Sequence, residues 1–378
     1  MVRHTVLLRS DGVAVACGRN DHGQCNIPPL DEGVSYLHVS AGYDHTVLLR
    51  SDGHAVCCGQ NDFGQCDIPP LEPGTSYTQV SASCRNTLLL RSDGSVVTCG
   101  DGGADLLQAE EGTFYTQVSA GKHFAVLLRS DGHAVSSALQ GEPGRIPPLE
   151  DGVRYTQVSV GGYHIVLLRS DGRAVASGSN HCGQCDIPPL EEGLSYTEVA
   201  AGKEHTVLLR SDGWVTACGA NAAGQCYVRA LDEGMLYTQI SAGRSHTVLI
   251  RSDGSAVTCG ENDDGQCSIP SPEPGTFYIG NHVPLGREAI LQLQCLPEDD
   301  AISLTLSTLV GEEKLRIRNA QRFDLLWDLQ KRIARELKTG VQRLRIVLPD
   351  GRLLSSACQA NPVVTVGDVE SPKRRRLA

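Results

Sequence analysis

His45-Thr46-Val47-Leu48-Leu49-Arg50-Ser51-Asp52-Gly53-His54-Ala55-Val56-Cys57-Cys58-Gly59 is the stretch on which the fold turns. Two apolar, β-branched-rich runs flank an Asp-Gly, and Gly tolerates the positive φ that a tight hairpin demands. Downstream, Asn61-Asp62-Phe63-Gly64-Gln65-Cys66 reads as a Gly- and Asn-rich bend. Ile68-Pro69-Pro70 breaks the ladder, because Pro cannot donate a backbone hydrogen bond. Tyr77-Thr78-Gln79-Val80-Ser81 then alternates like a half-buried strand.

This unit recurs. The tetrapeptide Arg-Ser-Asp-Gly occurs seven times, beginning at Arg9, Arg50, Arg91, Arg129, Arg169, Arg210 and Arg251, in steps of 41, 41, 38, 40, 41 and 41 residues. No segment before residue 320 carries a helical period. An all-β unit of about 40 residues cannot bury its own faces and must stack on its neighbours. Packed radially, such units form a propeller.

Blade count follows from a second marker. A strand tyrosine also occurs seven times, at Tyr36, Tyr77, Tyr115, Tyr155, Tyr196, Tyr237 and Tyr278. The chain opens on a hairpin, His4 to Gly18, with no Tyr strand before it, and a final Tyr strand near Phe277–Val283 has no tetrapeptide after it. The last strand is therefore expected to complete the first blade and close the ring, which removes open sheet edges. Arg287–Gln294 is an alternative, degenerate eighth hairpin strand. The expectation is an all-β seven-bladed β-propeller over residues 1–296, followed by a small α+β (ubiquitin-like, β-grasp) domain at 301–370 and a basic tail at 371–378.

Charge divides the chain in the same way. Residues 1–300 hold 18 Lys+Arg against 36 Asp+Glu, and residues 301–378 hold 15 against 8. An acidic ring repels phosphate backbones, so nucleic acid is not an expected partner of the propeller. No apolar run approaches the length of a membrane span, and the first residues lack a signal-peptide layout. A cytoplasmic or nuclear monomer is expected, its 15 cysteines mostly free thiols.

Ala41-Gly42-Tyr43-Asp44-His45-Thr46-Val47-Leu48-Leu49 and Cys17-Gly18-Arg19-Asn20-Asp21-His22-Gly23-Gln24-Cys25 resemble the repeat of the regulator of chromosome condensation family. The short repeat is similar to that of beta-lactamase inhibitor protein II. The likeness covers roughly residues 1–283 and implies the propeller fold, while the fold itself hosts unrelated functions. Cys17, Cys58, Cys99, Ser137, Ser177, Cys218 and Cys259 stand where the family has Trp, and with only Trp214 and Trp327 present the likeness to the plant ultraviolet-B photoreceptor does not extend to its light sensing. The third and fourth units, around Asp101–Leu107 and Ser136–Arg145, lose the Asn-x-x-Gly-Gln bend. Nothing resembles the inserted wedge that chromosome-condensation regulators use on the small GTPase Ran.

Residues repeated in nearly every unit are explained first by the unit. His4, His45, His164, His205 and His246 share one repeat position, with Asn86 and Phe124 in the others. A catalytic His is needed once, so a repeated structural hydrogen bond is expected. The Cys-x₇-Cys pairs 17/25, 58/66, 218/226 and 259/267 read as small buried packing groups. Cys182-Gly183-Gln184-Cys185 is a lone pair, short of the four ligands zinc needs. The Arg-Ser-Asp-Gly turns read as solvated turns with local Arg–Asp pairs. No P-loop, dinucleotide motif, metal set or cofactor site is read. Aromatics at variable positions, Tyr43, Phe63, Tyr163 and Trp214, are the candidate partner contacts, since aromatics dominate interface hot spots.

Beyond Pro297 the pattern changes. Ile302–Thr308 and Glu313–Asn319 read as a hairpin, Phe323–Lys338 as a helix, and Leu344–Leu348 with Arg352–Leu354 as a second hairpin. The order ββαββ, with Gln342-Arg343-Leu344, resembles ubiquitin-like domains. There is no terminal Gly-Gly for conjugation, and Arg345 stands where ubiquitin has its patch isoleucine. Lys373, Arg374, Arg375 and Arg376 resemble a nuclear import signal, with a solvated charge run as the plainer reading. The functional expectation is a non-catalytic scaffold whose propeller loops bind a protein partner. The alternatives are guanine-nucleotide exchange on a Ran-like small GTPase, or a non-catalytic subunit of a ubiquitin-ligase assembly.

Overall fold

Every Arg-Ser-Asp-Gly closes a hairpin, and each of its four residues has a part. In the second repeat the Arg50 guanidinium reaches Asp52 at 2.7 Å. Ser51 Oγ accepts the Ser35 N–H at 3.1 Å, and Asp52 accepts the His54 N–H at 3.1 Å. Gly53 has φ +83°, and a Cβ there would lie 2.6 Å from the Ser76 Cβ. The turn therefore needs glycine for its backbone angle and for the approach of the next segment.

A computed structural model describes residues 3–101, 112–122, 124–137, 145–232 and 234–279, and the backbone of four later strands. Seven three-stranded antiparallel sheets follow one another. Blade 2 has an inner strand Tyr36–Ala41, a middle strand His45–Arg50 and an outer strand Ala55–Gly59. Blade 3 is Tyr77–Ala82, Asn86–Arg91 and Val96–Gly100. Blade 4 is Tyr115–Ala120, Ala125–Arg129 and Ala134–Ser136. Blade 5 is Tyr155–Val160, His164–Arg169 and Ala174–Gly178. Blade 6 is Tyr196–Ala201, His205–Arg210 and Val215–Gly219, and blade 7 is Tyr237–Ala242, His246–Arg251 and Ala256–Gly260. Blade 1 combines the first hairpin, His4–Arg9 and Ala14–Gly18, with Tyr278–Ile279 from the far end of the ring. Leu8 pairs with Ile279 and Arg9 with Tyr278, so the ring closes as the marker order predicts.

The middle strands are apolar without alternation because both of their faces are covered. Leu8 packs with Tyr36, Val39 and Leu48 of blade 2, while its neighbour Leu7 packs with Val248 and Ile250 of blade 7. The core is thus a set of seams between successive blades. The inner strands are cross-tied by side chains that stand in for backbone. Gln79 donates to the Val118 carbonyl at 2.9 Å and accepts the Val118 N–H at 2.9 Å. Gln117 does the same with Val158. Ser40, Ser81, Ser119 and Ser159 each accept an N–H from the next inner strand.

Inner strands run toward one end of the ring, middle strands return, and outer strands run back again. Inner-to-middle connections and the Asn-x-x-Gly-Gln bends therefore share one end, here called upper. The Arg-Ser-Asp-Gly turns share the lower end.

Ala289–Glu298 pairs antiparallel with Ala301–Thr308 and parallel with Leu344–Val347, and among the described residues with no blade, so Ala289–Gln294 does not supply the eighth hairpin strand. Ala301–Thr308 pairs in turn with Glu313–Ala320. Segments 323–338 and 352–354 and the tail Lys373–Arg376 lie outside the described residues.

Candidate functional site at the upper end of the ring

The repeated histidines are consumed by the seams. His4 Nε2 lies 2.7 Å from Thr46 Oγ1, His45 3.0 Å from Thr87, His164 2.8 Å from Thr206, His205 3.1 Å from Thr247, and His246 3.1 Å from Thr5. Each threonine hydroxyl also donates to a glutamine carbonyl of the preceding blade's bend, at 2.7 Å for Thr46 and Gln24. Thr87, Thr206, Thr247 and Thr5 donate likewise to Gln65, Gln184, Gln225 and Gln266. The hydroxyl spends its proton on the carbonyl, so Nε2–H of the histidine is the donor to it. The rings sit against glycine: a Cβ on Gly42 would lie 2.4 Å from His45 Cε1. Burial first, and neighbouring histidines second, push His4 down to about 3. Burial holds His45, His164 and His246 at about 4. These rings are neutral and buried, and none is poised for acid–base work near neutral pH.

The relay is lost as a whole where its bend is lost. Blade 3 lacks the Gly-Gln bend, has Asn86 for His, and faces Ala125 where blade 4 should carry Thr. Blade 4 lacks the bend, has Phe124, and faces Ile165. Phe124 and Ile165 share one apolar cluster. Where the sequence drops the Gly-Gln motif, the seam that carries a histidine and a threonine elsewhere is apolar.

The cysteines are seam and bend groups, less buried than the sequence suggested. Sγ of Cys17, Cys58, Cys99, Cys218 and Cys259 lies against the same glutamine carbonyls, at 3.4 Å for Cys99 and Gln65. Burial pushes the Cys58 thiol up to about 11 and Cys218, chiefly by burial, to about 12, which keeps both protonated. Cys66 does not pair with Cys58. It forms a disulfide with Cys57, Cα to Cα 5.2 Å, so this cysteine is not the free packing thiol expected at its position. Cys57 stands where other blades place Ala16, Thr98, Ala176, Ala217 and Thr258. Cys182 is exposed and Cys185 bonds the Ser179 carbonyl of its own bend.

The upper end carries side chains that the blades do not share. The inner strands line an axial cavity of about 310 Å³. At its mouth one repeat position, directly after the Ala-Gly or its equivalent, carries Tyr43, Cys84, Lys122, Gly162, Lys203 and Arg244, all lining the cavity. The backbone there is pinned to the next blade: Tyr43 N–H donates to Ser83 O at 2.8 Å and Lys203 N–H to Gly243 O at 3.1 Å. Lys122 Nζ meets the Tyr163 hydroxyl at 3.1 Å and lies 5.2 Å from its ring centroid. Arg85 stacks 4.2 Å over the ring of Phe63, a residue 39% exposed.

Three of the four aromatic candidates, Tyr43, Phe63 and Tyr163, therefore belong to the upper end. Trp214, 54% exposed, follows an Arg-Ser-Asp-Gly turn and lies at the lower end. There the turn arginines also meet acids of the incoming loops, Arg50 with Asp31 and Arg169 with Glu150.

Residues 37–65, 155–184, 196–225 and 237–266 match the model of the regulator of chromosome condensation (RCC1) repeat. These segments belong to blades 2, 5, 6 and 7, which keep the bend. The ring is an RCC1-like propeller. The structure resembles the CRINKLY ectodomain of the Arabidopsis thaliana receptor kinase ACR4 at 21% identity and TM-score 0.56, over 71% of this chain and 93% of that one. It resembles Prp20p of Saccharomyces cerevisiae, a protein with binding properties to Gsp1p and histones, at 16% identity and TM-score 0.57, over 89% and 96%. Human WBSCR16 is similar at 17% identity and TM-score 0.54, over 68% and 82%. At such identities the likeness concerns the fold. No curated protein matches the chain in sequence.

Proposed function

We propose that this chain is a protein-binding scaffold that engages its partner at the upper end of the ring. One observation carries the reading. The polar side chains common to the blades are tied into turns, bends and seams, whereas the upper end presents non-repeating aromatics and cations that the fold does not require. Interface anchors are typically of these types, and aromatic rings offer large contact area at low entropy cost. Tyr43, Phe63 and Tyr163 are the proposed anchors, and the segment 301–370 is proposed as a ubiquitin-like adaptor beside them.

Affinity capture with the full chain tests this. Replacing Tyr43, Phe63 and Tyr163 by alanine together should strip the captured partner, while Trp214→Ala should leave it. Capture unchanged by the upper-end substitutions, or lost only with Trp214, would refute the placement.

Exchange on a Ran-like GTPase is the second reading, supported by the likeness to the yeast protein that binds Gsp1p. The scaffold reading expects no acceleration of labelled GDP release by the purified chain. A catalytic increase would replace it.

A further inference from the structure

Residues 1–300 contain only two lysines, Lys122 and Lys203, and both occupy the same repeat position at the channel mouth. Arg244 occupies it in the next blade. Eight other ring arginines are paired elsewhere: Arg9, Arg50, Arg129, Arg169 and Arg210 with turn aspartates, Arg3 with Asp264, Arg19 with Asp21 and Arg85 with Asp101. Among the described residues Arg244 has no ion pair, and Lys122 meets the Tyr163 hydroxyl rather than a carboxylate. Lys203 has Glu204 at 3.1 Å. The carboxylate that lines the cavity is Glu198, which accepts the Ile240 N–H on the inner-strand ladder. Blades 4, 6 and 7 thus focus positive charge on the mouth of a ring whose sequence is otherwise strongly acidic. Charge of one sign around a low-dielectric cleft concentrates ligands of the other.

From this we infer that the channel mouth recognises an acidic peptide segment of the partner, with carboxylates on Lys122, Lys203 and Arg244. This rests on the scaffold reading and gives its partner a chemistry. A peptide fits better than a nucleic acid. Among the described residues the cationic zone at the mouth is three side chains wide, and a long polyanion would extend past it over Asp21, Asp62 and Asp263 of the upper-end bends. The cavity of about 310 Å³ admits a few residues of extended chain, and the serine and glutamine side chains along its wall offer polar contacts.

The test uses the purified full chain and a fluorescein-labelled decapeptide of alternating glutamate and serine, with its lysine counterpart and a single-stranded oligonucleotide of similar charge. Anisotropy should rise with the acidic peptide alone, and its affinity should fall steeply between about 50 mM and about 300 mM salt. Lys122→Glu with Lys203→Glu and Arg244→Glu should weaken binding at least about tenfold. Lys122→Met with Lys203→Met, which keeps the apolar stems, should weaken it less, with the melting temperature unchanged. Trp214→Ala should bind as the wild type does. Preference for the basic peptide or the oligonucleotide, no binding of the acidic peptide, or binding indifferent to the charge reversal would overturn the inference. Partner capture that survives the charge reversal, but not loss of Tyr43, Phe63 and Tyr163, would sink this inference and leave the scaffold reading standing.

Discussion

At the scale of single residues, the relay of histidine, threonine and glutamine carbonyl explains what is repeated. Thr206→Val would leave His164 Nε2–H and the Gln184 carbonyl without their shared hydroxyl. The expected loss is about 1–3 kcal/mol by urea unfolding near pH 7.5, the cost of unsatisfied buried groups. The converse change, Ile165→Thr, places a hydroxyl in the apolar cluster beside Phe124 and should also destabilise, by a similar amount. Stability unchanged in both variants would mean that the seams are held by apolar contact alone. Much of this was legible in the sequence. The five histidines of one repeat position announced a structural hydrogen bond, and their loss alongside the Gly-Gln bend was visible in units three and four. What the chain alone did not reveal was the partner, because Thr46 lies 42 residues from His4 and one blade away. The channel-mouth cations are not legible from the chain although both lysines share a repeat position, because only the closed ring brings Lys122, Lys203 and Arg244 around one cavity.

At the scale of the blade, the buried rings make the propeller acid-sensitive. Burial, aided by neighbouring histidines, also pushes His205 down to about 3, and burial holds His38 at about 4, against an ordinary 6.5. The unfolded chain therefore binds protons that the folded chain refuses. Their contribution is fully present above pH 6.5 and is lost as pH falls toward 4. Each of the six buried rings costs about 1.4 kcal/mol per pH unit in that window. Since a native domain has only about 5–15 kcal/mol in hand, circular dichroism should show cooperative unfolding near pH 5. His164→Phe paired with Thr206→Ile, which copies the apolar seam of Phe124 and Ile165, should move that midpoint to lower pH. A midpoint that stays where it was would mean these rings do not govern acid stability.

At the scale of the whole molecule, closure and display are separate matters. Closure rests on a short segment, Tyr278 and Ile279 against Arg9 and Leu8, with the Tyr278 hydroxyl on the Pro270 carbonyl at 2.6 Å. Tyr278→Ala should lower the thermal midpoint by more than loss of an exposed aromatic such as Phe63, because it opens the seam between blades 7 and 1. The matched count of turns and tyrosines in the sequence is enough to predict that closure. Direction around the ring was harder to read, since which loops share an end depends on strand pairing, and Trp214 accordingly fell on the opposite end from Tyr43 and Tyr163. The central claim is that the repeated residues build the ring and the non-repeating upper end binds protein. Hydrogen exchange of the full chain, alone and with its captured partner, tests this most directly. Slowed exchange at the upper connections around Tyr43, Lys122, Tyr163, Lys203 and Arg244, with the Arg-Ser-Asp-Gly turns unchanged, is the predicted result. Slowed exchange centred on those lower turns and Trp214, with the upper connections unaffected, would contradict it.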